Sequence, residues 1–110
     1  MAGHFHVNTI LVRIKRLIIS GKYVFTGKAE IEMFADALTE ECVLESILNA
    51  TDIKKTIRST SAASKPGEKL YVIESRTYDG LLIYTKGAIK RNGGEEYFYL
   101  LISSKCSRGT

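Results

Sequence analysis

Apolar residues recur along this chain with two different periods, and the change falls near its middle. Ile10, Leu11, Ile14, Leu17 and Ile18 follow the i, i+3, i+4, i+7 spacing of one helical face, with Arg13, Lys15 and Arg16 opposite. Asn8 or Thr9 can cap the start of this helix and Gly21 its end. Tyr23-Val24-Phe25 reads as a short extended connector. Thr26 then caps a second helix with Ala29, Met33 and Phe34 on one face. A third begins at Thr39, a good N-cap, with Glu40 and Glu41 in the first turn, where the helix dipole favours negative charge. Val43, Leu44, Ile47 and Leu48 supply its apolar face, and Asn49 or Ala50 ends it.

Beyond residue 52 the period shortens to two. Ile53 to Ile57 predicts a short strand, and Leu70 to Ser75 a clear one. Tyr78-Asp79-Gly80 is a turn signal, and Leu81 to Lys86 continues the sheet beyond it. Arg91-Asn92-Gly93-Gly94 marks a second turn before the last strand, Tyr97 to Ser103. The lone proline, Pro66, lies in the longest polar stretch, Ser59 to Lys69, which separates the two halves. The predicted fold class is α+β: N-terminal helices on one face of a three- to four-stranded antiparallel sheet. Residues 9–105 form one domain, residues 1–8 a loose N-terminus and residues 106–110 a tail.

Composition narrows the function classes. The chain has 110 residues, 16 Lys+Arg, 12 Asp+Glu and a formal charge of +4. That length suits one domain and excludes a (β/α)8 barrel of about 250 residues. The apolar runs are too short and too interrupted for a membrane span, and the N-terminus lacks a signal-peptide pattern. Cys42 and Cys106 are too few for a disulfide scaffold, which favours a reducing, cytoplasmic setting. Cys42 itself reads as a small buried hydrophobe.

Charge is polarised along the chain. Residues 29–52 hold seven of the 12 acidic residues and no Lys or Arg. The rest of the chain is strongly basic, which suits a polyanionic partner.

Several motifs fail on chemistry. GKYVFTGK has five residues between its glycines where a phosphate loop has four, and Lys28-Ala29 omits the magnesium-binding hydroxyl. His4 and His6 have no accompanying ligand cluster, so no metal or other cofactor is expected. Asn49-Ala50-Thr51 matches the glycosylation triplet, which has no meaning in the cytosol. No Ser/His/Asp or Cys/His nucleophile set is credible.

The strand half carries the chemistry. Lys55, Arg58, Glu74, Arg76, Tyr84, Lys86 and Lys105 fall on strands or strand ends, and Tyr84 and Lys86 share a strand face. Cations bind phosphates, tyrosine stacks on bases, and Lys or Glu can move a proton from a 2′-hydroxyl. Tyr71, Tyr97 and Tyr99 read instead as sheet packing and core edges, and each lysine taken singly reads as solvated surface.

The order of elements resembles the RelE/ParE-like toxin superfamily. VRIKRLIISGKYVFTGKAEIEMFADALTEECVLESILNATDIKKTI is similar to the MqsR-type mRNA interferases: a basic first helix ending in Gly, a T-x-x-A segment (here Thr26 to Ala29), and a third helix running into a lysine-bearing strand. TYDGLLIYTKG and YFYLLISSK resemble their strand hairpin and Lys-ending terminal strand. The resemblance implies a RelE-like sheet. It also implies a type II toxin that cleaves mRNA without metal, on or off the ribosome, and a protein antitoxin as partner.

Carried over position by position, the resemblance assigns catalysis to Lys55, Tyr84, Lys86 and Lys105, and RNA binding to Lys28, Lys54, Arg58 and Arg76. The 2′-oxygen would attack the adjacent phosphate, with lysines answering the charge on the phosphorane. Two departures stand out. The family glutamine has no match in VIESRT, so Glu74 or Arg76 would stand in. The histidine of T-x-H-A is replaced by Lys28. A catalytically silent RelE-fold module that binds RNA or protein, and a ParE-like toxin with a protein target, are the alternatives.

Overall fold

The computed structural model describes residues 8–59 and 68–105. Elements run α1 (Thr9–Ile19), β1 (Tyr23–Phe25), α2 (Gly27–Ala35), α3 (Glu40–Leu48), β2 (Lys55–Arg58), β3 (Lys69–Arg76), β4 (Leu82–Asn92) and β5 (Glu95–Lys105). The chain is therefore α+β, as its pattern predicts.

The three helix starts match their sequence signals. The Asn8 side chain accepts from the Leu11 amide, Thr26 from Ala29 and Thr39 from Cys42. Each supplies one acceptor to the orphan amides of a first turn, worth about 1 kcal/mol. α1 ends in a Schellman turn: Gly21 sits at φ +78°, and the Lys22 amide reaches back to the Leu17 carbonyl at 2.8 Å. α2 ends in the same way, but with Ala37 at φ +58° where glycine is usual. The Leu38 amide then bonds to the Met33 carbonyl at 2.8 Å.

The sheet differs from the expected one. It has five strands among the described residues, in the order β1-β5-β4-β3-β2. β1 runs parallel to β5, and the other pairs are antiparallel. Tyr23-Val24-Phe25, expected as a connector, is thus an edge strand of a mixed sheet. Three residues are too few to show a period, and their partners lie more than 70 residues away in Phe98, Tyr99 and Leu100. β4 and β5 also run longer than expected, up to the Gly93-Gly94 turn. Both of those glycines have positive φ, as a tight hairpin requires.

All three helices pack on one side of this sheet. Leu11, Ile14 and Ile18 of α1, Met33 of α2, and Val43 and Ile47 of α3 meet Ile73, Ile83, Phe98 and Leu100. Each large side chain buried here contributes roughly 1.5–3 kcal/mol.

Three helix-layer expectations need correction. Phe34 does not face the core but is 87% exposed, because Ala29 and Met33 form the buried stripe of α2. Leu48 lies at the surface, while Ser46 is buried and donates to the Val43 carbonyl at 2.7 Å. Cys42 is half-buried: its thiol lies 3.3 Å from the Thr39 amide and completes the cap of α3.

One irregularity shapes the sheet centre. The β4–β5 register slips between Lys86 and Gly87, which pair with Ile102 and Leu100, so Leu101 is the extra residue of a bulge. The Thr26 hydroxyl donates to the Leu101 carbonyl at 3.3 Å and so ties the start of α2 to the bulge. Gly87 is required here. A Cβ at this position would lie 2.5 Å from Phe98 Cζ and 2.6 Å from the Tyr99 carbonyl oxygen.

Candidate nucleic-acid interface

Strand alternation assigns every residue of this sheet to one of two faces. Tyr71, Ile73, Ile83, Thr85, Phe98 and Leu100 point to the helices. Their neighbours Leu70, Val72, Glu74, Tyr84, Lys86 and Ala88 point the other way, and among the described residues no helix covers that second face.

Lys55, Tyr84 and Lys86 come together on this helix-free face. Lys55 pairs with Val72, Val72 with Lys86, and Lys86 with Ile102, so the two lysines stand in one row across the sheet. They are two strands apart, about 10 Å between backbones, which two lysine side chains can span to meet one phosphate. In the next row Glu74 pairs with Tyr84, and Tyr84 with Ser104. Tyr84 and Lys86, two residues apart on one strand, are separated by about 7 Å.

The other expected residues are placed differently. The Lys54 ammonium lies 2.5 Å from Glu74 Oε1, so this lysine joins the face through an ion pair. Arg76 shares the face but donates to the Gly80 carbonyl at 2.8 Å, bracing the β3–β4 turn. Arg58 pairs with Lys69 in β2, at a position that alternates to the helix side. Lys28 is exposed in the first turn of α2, in the helix layer. The Lys105 backbone pairs with Ile83, a helix-side position, and its side chain lies outside the described residues. So do His4, His6, Pro66, Cys106 and most of the Ser59–Lys69 stretch.

Three residues missed as site candidates extend the face. Lys90 pairs with Tyr97 across β4–β5, and its ammonium sits 5.3 Å from the centre of the Tyr99 ring. Lys90 also lies 3.8 Å from Glu68. Tyr84, Lys86, Ala88 and Lys90 form one line along β4, about 20 Å from first to last. Ala88, between the two lysines, is fully buried, as is Val72 in the row of Lys55 and Lys86. The signal was present in the period-two spacing of Lys86, Lys90, Tyr97 and Tyr99, but it carries no information about which face the helices take.

Other polar groups serve the fold. The Arg13 guanidinium is hydrogen-bonded to Glu96, with Nε 3.0 Å from Oε1, and this contact holds the Glu96 carboxyl below the usual carboxylate range. The Lys22 ammonium, 2.9 Å from Glu95, is raised above its ordinary value by that hydrogen bond. Both pairs fasten the first helix and its exit to the β4–β5 turn. Glu45 accepts from the Tyr78 amide at 2.8 Å and Asn49 donates to the Arg76 carbonyl at 3.0 Å, so α3 clamps the β3–β4 turn. Beside it lies an acidic cleft of about 280 Å3, lined by Glu41, Glu45 and Asp79.

Among the described residues no group of three or more His, Cys, Asp or Glu side chains could hold a metal ion, and no helix is long and apolar enough to cross a membrane. No family model matches the chain, and no curated protein or solved structure is significantly similar to it.

Proposed function

We propose that the helix-free face binds single-stranded RNA and cleaves it without a metal: a 2′-hydroxyl gives up its proton and attacks the adjacent phosphate, the P–O5′ bond breaks, the departing 5′-oxygen takes up a proton, and a 2′,3′-cyclic phosphate is left. One observation carries this reading: Lys55, Lys86, Tyr84 and Glu74 occupy adjacent rows of one face that no helix covers among the described residues. Cations there meet phosphates, and tyrosines offer ring faces to unpaired bases. Lys55 and Lys86 would answer the charge of the phosphorane, and Glu74 is the carboxylate within a row of both. The wider assignment, an mRNA-cleaving toxin of the RelE/ParE-like kind restrained by an antitoxin in the cytoplasm, rests on the resemblance to MqsR-type interferases.

A second reading is favoured by the state of Glu74. Its carboxylate is paired with Lys54 at 2.5 Å, which lowers its use as a proton acceptor. Under that reading the face binds RNA and does not cut it.

One assay separates them. Labelled mRNA is incubated with the chain, with and without ribosomes, beside Lys55→Ala/Tyr84→Ala of unchanged melting temperature. Cuts made by the wild type and reduced by about 100-fold or more in the variant support cleavage. Retention of RNA without cuts, lost in the same variant, supports binding alone. The absence of both cutting and retention overturns the RNA assignment.

A further inference from the structure

The helix-free face continues past the proposed cleavage set. Lys90 stands four residues beyond Lys86 on β4, on the same face and about 13 Å away. Tyr97 is its direct partner on β5, and Tyr99 is the next residue of β5 on that face. Both rings are half-buried, so each shows part of its surface to solvent.

Lys90 is held in place without being consumed by its neighbours. Its ammonium lies 5.3 Å from the centre of the Tyr99 ring and 3.8 Å from Glu68, too far for a hydrogen bond. Among the described residues its three N–H donors therefore stay open, and its side chain is 36% exposed. Lys54 differs, because its ammonium is hydrogen-bonded to Glu74 at 2.5 Å. A positioned cation with open donors beside an aromatic ring offers a nucleotide both contacts it needs, one for phosphate and one for base.

We propose that Lys90 and Tyr97 form a second RNA subsite, so that the face takes a single strand of at least about four nucleotides. The inference rests on the RNA reading and extends it to the length of the substrate. Successive phosphates of an extended strand lie about 6–7 Å apart. With the scissile phosphate between Lys55 and Lys86, a span of about 13 Å leads two phosphates further, to Lys90. A base on Tyr84, on the other side of Lys86, completes the about four nucleotides. Glu68 opposes this subsite, because its charge competes with the phosphate for Lys90.

Binding is measured apart from cutting with 2′-O-methyl oligouridylates, which lack the attacking hydroxyl. Oligomers of two to eight nucleotides displace a labelled octamer from the chain. The wild type should gain most of its affinity by about four to six nucleotides and little beyond. Lys90→Gln should weaken the octamer about fivefold or more and leave the dinucleotide unchanged. It should also lower the salt slope of log K by about 0.7, the share of one phosphate. Tyr97→Leu should cost the octamer about fivefold or more, and Tyr97→Phe little. Glu68→Gln should tighten the octamer about two- to fivefold. Oε1 of Glu68 is buried with no hydrogen-bond partner among the described residues, so the amide breaks no bond there. Opposite signs from the two partners of one ion pair cannot come from a damaged fold.

Affinity per binding register that does not rise between two and eight nucleotides overturns the second subsite and leaves RNA binding standing. So does an equal loss at every length in Lys90→Gln, or an octamer weakened as much by Glu68→Gln. A wild type that binds no length overturns the RNA reading, and this inference with it.

Discussion

The two faces of the sheet are built from the same strands and have opposite compositions. The helix side presents Ile73, Ile83, Phe98 and Leu100, closed over by α1, α2 and α3. The other side presents Tyr84, Lys86, Lys90, Tyr97 and Tyr99, together with the buried Val72 and Ala88. Alternation along each strand lets one backbone serve a dry environment and a wet one at once. Stability should therefore be concentrated on the helix side, and the RNA chemistry proposed above would fall on the other. Substitutions can be sorted by which property they change.

The largest effect is expected on the helix side. Phe98→Ala deletes a ring that is fully buried at the sheet centre, and should cost about 3–5 kcal/mol in chemical denaturation. A loss below about 1 kcal/mol would mean that this face is not where stability resides. On the other side, Lys55→Ala/Tyr84→Ala should abolish RNA cutting or retention while shifting the melting temperature little. Loss of fold in that variant would break the comparison from the opposite direction.

Gly87→Ala tests the point where the faces constrain each other. A Cβ 2.5 Å from Phe98 forces the bulge to move, so a cost of about 1–3 kcal/mol is expected. The same shift should misplace Lys86, its neighbour on the helix-free face, and weaken RNA retention as well.

Ala37→Gly should act in reverse. It relieves a left-handed alanine at the end of α2 and should raise stability by about 1 kcal/mol, with RNA properties unchanged. The smallest effect concerns pH. The folded-state pKa of Glu96 is depressed by Arg13, so the pair contributes fully above the unfolded carboxylate value of about 4.3. That contribution is lost as pH falls through the lower folded value. Urea titrations from neutral pH to pH 3 should show the decline flatten in Arg13→Ala.

Much of the fold was legible because it rests on local rules. Asn8, Thr26 and Thr39 cap helices through side chains three residues from the amides they satisfy. Gly21, Gly93 and Gly94 mark turns through the φ values they permit. β1 was not legible, since three residues carry no period. The exposure of Phe34 is not legible either, because the apolar pattern of a nine-residue helix fits more than one stripe, and only packing against β5 selects Ala29 and Met33.

The candidate site divides in the same way. Period two was enough to set Tyr84 beside Lys86. The row through Lys55, Val72 and Lys86 depends on the registers of two strand pairs, whose partners are 17 and 14 residues apart in sequence. Lys54 and Glu74 are 20 residues apart, and no local spacing announces their contact.

By itself, then, the sequence determined the helix starts, the hairpin turns, the α+β class and the polarised charge, because each depends on near neighbours in the chain. Tertiary structure decided the parallel edge strand, the bulge at Gly87, the gathering of Lys55, Tyr84 and Lys86 on one face, and the exposure of Phe34. Those depend on which distant segments pack together. The free energy of that packing belongs to surfaces that exist only once the chain has folded.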